Sequence, residues 1–168
     1  MATGAASSVE EVEARESALW RAVLNRFLRG APIGLMRQVR RRVPAAPIEE
    51  FVMPGRRTGQ ERRLLLGLVE VDGRWYAGHP NGTSDWVLNL VAAGGCTVIR
   101  RDGIPIQVVA VELPFGPERD AVIRQTGCQP APAGLIYRRA AGHVAAVGRY
   151  FRLEPVAAAE AGQPASGS

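Results

Sequence analysis

A chain of 168 residues with 46% hydrophobic and 22% charged residues has the material for a single domain around one core. Its net charge of +5 rests on 21 basic residues, all arginine, which favours anionic partners, and its two cysteines, Cys96 and Cys128, form neither a metal-binding spacing nor a disulfide framework. No stretch approaches the roughly 18–20 apolar residues of a membrane span, and Met1 to Ser8 lacks the basic start and apolar run of a secretory signal. The expectation is a cytoplasmic protein with buried or incidental thiols.

In chain order, residues 1–8 have little to bury and are expected to be an unstructured tail. From Val9 to Arg29, Leu19, Trp20, Val23, Leu24, Phe27 and Leu28 recur at three- and four-residue spacing, which predicts a helix with one apolar face. Early Glu10, Glu11 and Glu13 and late Arg26 and Arg29 complement its dipole, and Gly30 and Pro32 end it. Leu35 to Arg42 is a basic, partly amphipathic piece that completes a helical segment over residues 9–43. Two readings stay open for this region: a peripheral contact with an anionic membrane, or a helix covering an open end of the sheet with its arginines in solvent.

Pro44 and Pro47 lead into a sheet domain over residues 44–155. Ile48 to Met53 reads as a first strand and Arg63 to Val71 as a second. Leu64, Leu65, Leu66, Leu68 and Val69 leave that second run almost no polar face, as in a barrel or a dimer seam. Asp72-Gly73 predicts a hairpin into Trp75-Tyr76-Ala77, and Asn81 to Ser84 breaks that strand, with Thr83 or Ser84 capping a helix that ends at Gly94-Gly95. Cys96 to Arg101, an Asp102-Gly103 turn and Ile104 to Leu113 make a second hairpin. A short helix from Pro117 to Gln125, a helix from Leu135 to Val147 and a strand from Arg149 to Leu153 follow, and residues 156–168 form an Ala/Gly/Ser tail. The sum is an α+β fold with about six mostly hairpin-linked strands, an antiparallel sheet or small barrel.

The densest chemistry lies in the turn Gly55 to Arg62. Its glycines permit tight backbone conformations that aim amide N–H groups into a concavity, and Arg56, Arg57, Arg62 and the Thr58 hydroxyl offer donors to a phosphate. The plainer reading is a solvated hairpin loop. The following helix can place its N-terminus and Asn89 beside bound phosphate or a ring carbonyl, or can simply bury Trp86 in the core. His79 lies at the break before it, and His143 stands alone on a helix, where a structural role is expected. No triad, metal cluster or carboxylate pair is present, so no residue is named as catalytic; such an enzyme borrows its chemistry from a cofactor.

The segments GRRTGQERR…LL and DGRWYAG…DWVLNL, with the closing RLEPV, together resemble the deazaflavin-dependent nitroreductase family over residues 35–155. That family consists of split β-barrels related to FMN-binding pyridoxamine-phosphate-oxidase-like flavoproteins. The resemblance implies an antiparallel split β-barrel with flanking helices and the deazaflavin coenzyme F-420, with FMN as the runner-up. It implies that Arg56, Arg57, Thr58, Gly59 and Arg62 hold the phosphate end. Leu64, Leu65, Leu66, Ala77, Gly78 and His79 would line the ring through backbone groups, Trp86 and Asn89 would close the site, and Tyr137 would meet substrate. The implied activity is hydride transfer from reduced deazaflavin to an electron-poor acceptor such as a quinone, nitroaromatic or activated alkene. The alternative is a non-catalytic barrel that binds flavin, haem or lipid. A homodimer is the suggested assembly, from the two-faced apolar run, and nucleic acid is disfavoured for want of a recognition helix or aromatic platform.

Overall fold

The computed structural model describes residues 3–30, 33–43, 47–129 and 131–156. Two helices lead the chain, α1 (Thr3–Gly30) and α2 (Ile33–Arg42). The strands β1 (Ile48–Pro54), β2 (Glu61–Gly67), β3 (Val69–Val71) and β4 (Arg74–His79) follow. Then come α3 (Asp85–Ala93), β5 (Gly95–Ile99) and β6 (Pro105–Glu112). The helices α4 (Pro117–Gly127), α5 (Ala133–Arg139) and α6 (Ala141–Val147) precede the last strand, β7 (Arg149–Pro155). Helix α1 starts at Thr3, within the stretch expected to be an unstructured tail; Ala5 and Ala6 favour helix, so an established helix extends through them at little cost. The tail expected at residues 156–168 lies, from residue 157 on, outside the described residues.

Seven antiparallel strands run in the order β2-β1-β5-β6-β7-β4-β3. The apolar run expected as one strand is two, and they occupy opposite edges of the sheet. One residue, Leu68, joins them, with its N–H donating to the Pro47 carbonyl at 2.6 Å. A chain advances only about 3.3–3.6 Å per residue, so the two edges must curl to within a two-residue reach. The sheet is therefore a split barrel, and its near-closure explains why Leu64 to Val69 shows no polar face. The Asp72-Gly73 hairpin has the expected geometry, with φ of 50° and 72° at its two central residues.

Strand alternation sorts the apolar residues into two cores. The barrel interior holds Phe51, Met53, Ala77, Val87, Leu90, Val98, Phe151 and Leu153, with Leu64, Leu66 and Trp86 packed against them. The outer layer, between sheet and helices, holds Leu24, Tyr76, Val122, Val144 and Tyr150, with Trp20 and Tyr137 against them. On α1 the inward stripe is Trp20, Val23, Leu24 and Phe27, whereas Leu19 is 61% exposed. The helix expected over Leu135 to Val147 is divided at the fully buried Ala140 into α5 and α6.

Gly95 opens β5 against a backbone: a Cβ there would lie 2.2 Å from the Val108 carbonyl oxygen of β6. Gly95→Ala should therefore destabilise the fold by about 1–3 kcal/mol, the usual range for overpacking, as a lowered urea midpoint with unchanged slope. A midpoint equal to the parent's would mean that the two strands are not held this closely.

Candidate functional site

The β1–β2 connection, residues 55–60, is a compact turn. Gly55 N–H donates to the Gln60 carbonyl at 2.8 Å, and the Gly55 carbonyl accepts from Thr58 and Gly59 at 3.2 and 2.8 Å. Gly59 closes the turn at φ +67°, a left-handed conformation that favours glycine. Gly55 has a second role. A Cβ there would lie 3.3 Å from Arg62 Nε, 3.4 Å from the Gln60 carbonyl oxygen and 3.5 Å from Thr58 Oγ1, so the missing side chain leaves a small cradle among these three groups. Within this turn the N–H of Arg56 is taken by Asn89, and that of Arg57 donates to no described acceptor. Arg57 and Arg62 pair with no described residue.

Arg56 behaves differently from its neighbours. Its guanidinium reaches Asp85 Oδ1 through both terminal nitrogens at 3.1 Å, and Asn89 Oδ1 at 3.1 Å; its backbone N–H also donates to Asn89 Oδ1 at 3.1 Å. Buried Asn89 therefore braces the turn against α3, and Arg56 is engaged in that brace rather than facing outward with Arg57 and Arg62. Helix α3 itself starts at Ser84, whose side chain accepts from the Val87 N–H, and ends at Gly94 with φ +69°.

The residues expected at the ring are split by the fold. Leu64 and Leu66 point inward to the barrel core, while Leu64 and Leu65 border a cavity of about 260 Å³ between α2 and β1–β2. Ala77 is fully buried, and Gly78 backs onto the Tyr150 ring, which a Cβ would meet at 2.2 Å. His79 is buried edge-on to Trp86 at 6.1 Å between ring centroids, and Trp86 in turn meets Phe151 at 6.5 Å. The structure thus joins the arginine turn to Asn89 and the Trp86 helix, but buries Ala77 and His79 and sets the half-buried Gly78 against Tyr150 of the outer layer. Tyr137 sits in the outer core, where burial pushes its hydroxyl pKa up to about 12, apart from the barrel-interior cluster that holds Trp86.

A polar clasp that the sequence did not signal ties α1 to this region. Asn81 Nδ2 donates to the Arg21 carbonyl at 3.1 Å and to Asn25 Oδ1 at 2.8 Å, so its Oδ1 is left to accept from His143 Nε2 at 2.9 Å. His143 Nδ1 then accepts from the Ser17 hydroxyl at 3.0 Å. A second unsignalled cluster lies at α2, where Arg40 donates to the Ile99 carbonyl at 2.7 Å and to buried Glu49 at 3.2 Å, with Arg100 3.7 Å from the same carboxylate. Both join residues too distant in sequence for any spacing rule to link. Among the described residues no group of three potential ligands is placed to hold a metal ion, and no helix is long and apolar enough to cross a membrane. Burial pushes the Cys96 thiol up to about 12, which makes it unreactive.

No family model and no curated protein matches the chain. Solved structures do resemble it. An F420-H2-dependent reductase, FDR-A, is 24% identical over 64% of this chain and 94% of its own, with a TM-score of 0.48. The heme storage protein HutZ from Vibrio cholerae is 14% identical over 73% and 88%, with a TM-score of 0.49. A conserved hypothetical protein from Mycobacterium tuberculosis is 13% identical over 72% and 80%, with a TM-score of 0.50. Only the last of these reaches a TM-score of 0.50, and at 13% identity that likeness concerns the fold alone.

Two outcomes follow from the geometry. Asn89→Ala removes the acceptor of both Arg56 contacts and should cost about 1–3 kcal/mol, the penalty of an unsatisfied polar group, whereas Asn89→Asp, which keeps the acceptor, should restore most of it; chemical denaturation of the two variants decides. Burial lowers the pKa of both His79 and His143 below 6.5, with Arg21 adding to the effect at His143. As the pH falls below 6.5 the unfolded chain binds protons that the folded chain does not, so this contribution to stability is complete above 6.5 and declines toward the folded-state pKa values. Urea midpoints should fall between about pH 7.5 and 5.5, with a smaller fall in His143→Gln; an equal fall would remove His143 from the account.

Proposed function

We propose that the chain is an oxidoreductase that binds the reduced deazaflavin coenzyme F-420 and passes its hydride to an electron-poor organic acceptor. The observation that carries this reading is the cradle at Gly55, beside which Arg62 Nε and Thr58 Oγ1 lie, on a turn that also carries Arg57, an arginine with no partner among the described residues. That donor set suits a phosphate diester: planar forks, a hydroxyl and a backbone N–H, with no carboxylate paired to them. The resemblance of the GRRTGQERR and DWVLNL segments to the deazaflavin-dependent nitroreductases supports the choice of cofactor.

In this reading Arg57, Thr58, Gly59 and Arg62 hold the phosphate end, and Asn89 acts at one remove by fixing the turn through Arg56. The backbone of Leu64 to Leu66, next along β2 from the turn, would line the ring. The bound deazaflavin supplies the hydride; the protein orients the ring and excludes water, which is the contribution expected where a cofactor carries the chemistry. The acceptor meets the exposed side of the ring, a role for which Tyr137, placed in the outer core, is not the residue of choice.

Fluorescence titration with deazaflavin and, separately, with FMN tests the reading. Arg57→Ala and Arg62→Ala should each weaken deazaflavin binding tenfold or more, about 1.4 kcal/mol, and Gly55→Ala should do so by filling the cradle. Tighter binding of FMN would replace the cofactor. Deazaflavin binding without turnover across a panel of quinones, nitroaromatics and activated alkenes would make the chain a non-catalytic binding protein.

A further inference from the structure

We infer that the cavity between α2 and the β1–β2 hairpin is a second anion site, built for a small, multiply charged oxyanion. About 260 Å³ in volume, it is lined by Arg37, Arg40 and Arg41 of α2 and by Arg63, Leu64 and Leu65 of β2, and Glu50 of β1 is its one acidic lining residue. Glu49 and Glu61, outside the lining, pair with Arg40 and Arg63, so the positive charge left without a described counter-charge is that of Arg37 and Arg41. The Glu50 carboxylate compensates weakly, at 3.9 Å from Arg40 and 3.7 Å from Arg63.

The partners of each arginine sharpen the case. Arg40 commits one terminal nitrogen to Glu49 and the Ile99 carbonyl, which fixes α2 to the barrel, and its buried Nε has no hydrogen-bond partner. Arg63 is partly taken up by Glu61 at 2.6 Å. Arg37 and Arg41, one helical turn apart on α2, make no ion pair or hydrogen bond with any described residue. Two forks without a described partner on a fixed helix, lining one cavity with a third on a strand and with Leu64 and Leu65, form a clamp for an ion with charges on more than one side.

Size and chemistry limit the occupant. The volume is below the roughly 300–1,000 Å³ of sites for drug-sized ligands, so a compact ion fits and a whole dinucleotide or flavin does not. A tricarboxylate or a pyrophosphate group has the required charge and reach. This site does not rest on the deazaflavin reading: its four arginines are not those of the turn, and it shares with the ring wall only Leu64 and Leu65.

Calorimetric titration of the full chain with citrate and, separately, pyrophosphate at low ionic strength tests the site. With the turn's own anion donors removed by Arg57→Ala/Arg62→Ala, a saturable site should remain for one or both probes, and which probe binds tells carboxylate from phosphate recognition. Arg37→Ala/Arg41→Ala should weaken it tenfold or more, while Arg57→Ala/Arg62→Ala should leave it within twofold. Neither Arg37 nor Arg41 has a described partner, so their double variant should melt with the parent; Arg37→Gln/Arg41→Gln, which keeps the length and removes the charge, should lose binding equally. No saturable binding of either probe overturns the site, and so does an equal loss in the turn variant, which would assign the anion to residues 55–62. Failure of deazaflavin to bind while citrate or pyrophosphate still does would count against the cofactor reading and leave this site standing.

Discussion

Leu68 is the hinge on which the architecture turns. It separates two strands at opposite ends of a seven-stranded sheet, so covalent connectivity alone forces those edges together. A flat sheet with this connection would need a span many strands wide, at about 4.8 Å per strand, bridged by one residue. Curling is therefore required by chain geometry, and it creates an enclosed interior in which Phe51, Val87, Val98 and Phe151 become fully or almost fully buried. The helices then cover the outer face, where Leu24 and Val122 are equally inaccessible.

The candidate site inherits its position from that closure. The arginine turn joins β1 to β2 at the barrel's edge, and α3 packs against β1 so that Asn89 reaches the turn's backbone. One amide oxygen accepts from both the backbone and the guanidinium of Arg56, which leaves a turn of fixed shape carrying two arginines with no partner among the described residues. A brace of this kind reduces the ordering cost of binding, because the donors are already held when an anion arrives. The same division of roles recurs at α2, where Arg40 fixes the helix and its neighbours on that helix stay available.

Much of this was legible in the residues. The Asp72-Gly73 hairpin, the Ser84 cap, the Gly94 stop and the arginine turn all follow from local conformational rules, and each appears where expected. The sheet-edge crossing at Leu68 was not legible as such. A run of leucines and valines reports burial on both faces, but it carries no mark of where one strand ends and another on the far edge begins. The role of Arg56 as a brace was not legible for a similar reason: its contacts with Asp85 and Asn89 lie about thirty residues on, beyond any local rule.

The sequence by itself determined the elements, the antiparallel character of the sheet and the presence of a cationic glycine turn, because these depend on periodicity, turn chemistry and charge within short windows. The tertiary structure set which arginines act as braces and which have no partner among the described residues, and it buried Ala77 and His79 rather than leaving them on an open wall. It also brought Asn81 to His143 and Arg40 to Glu49 and Ile99. Those outcomes are set by contacts between segments that closure of the barrel brings side by side, and no local preference of either segment encodes its distant partner.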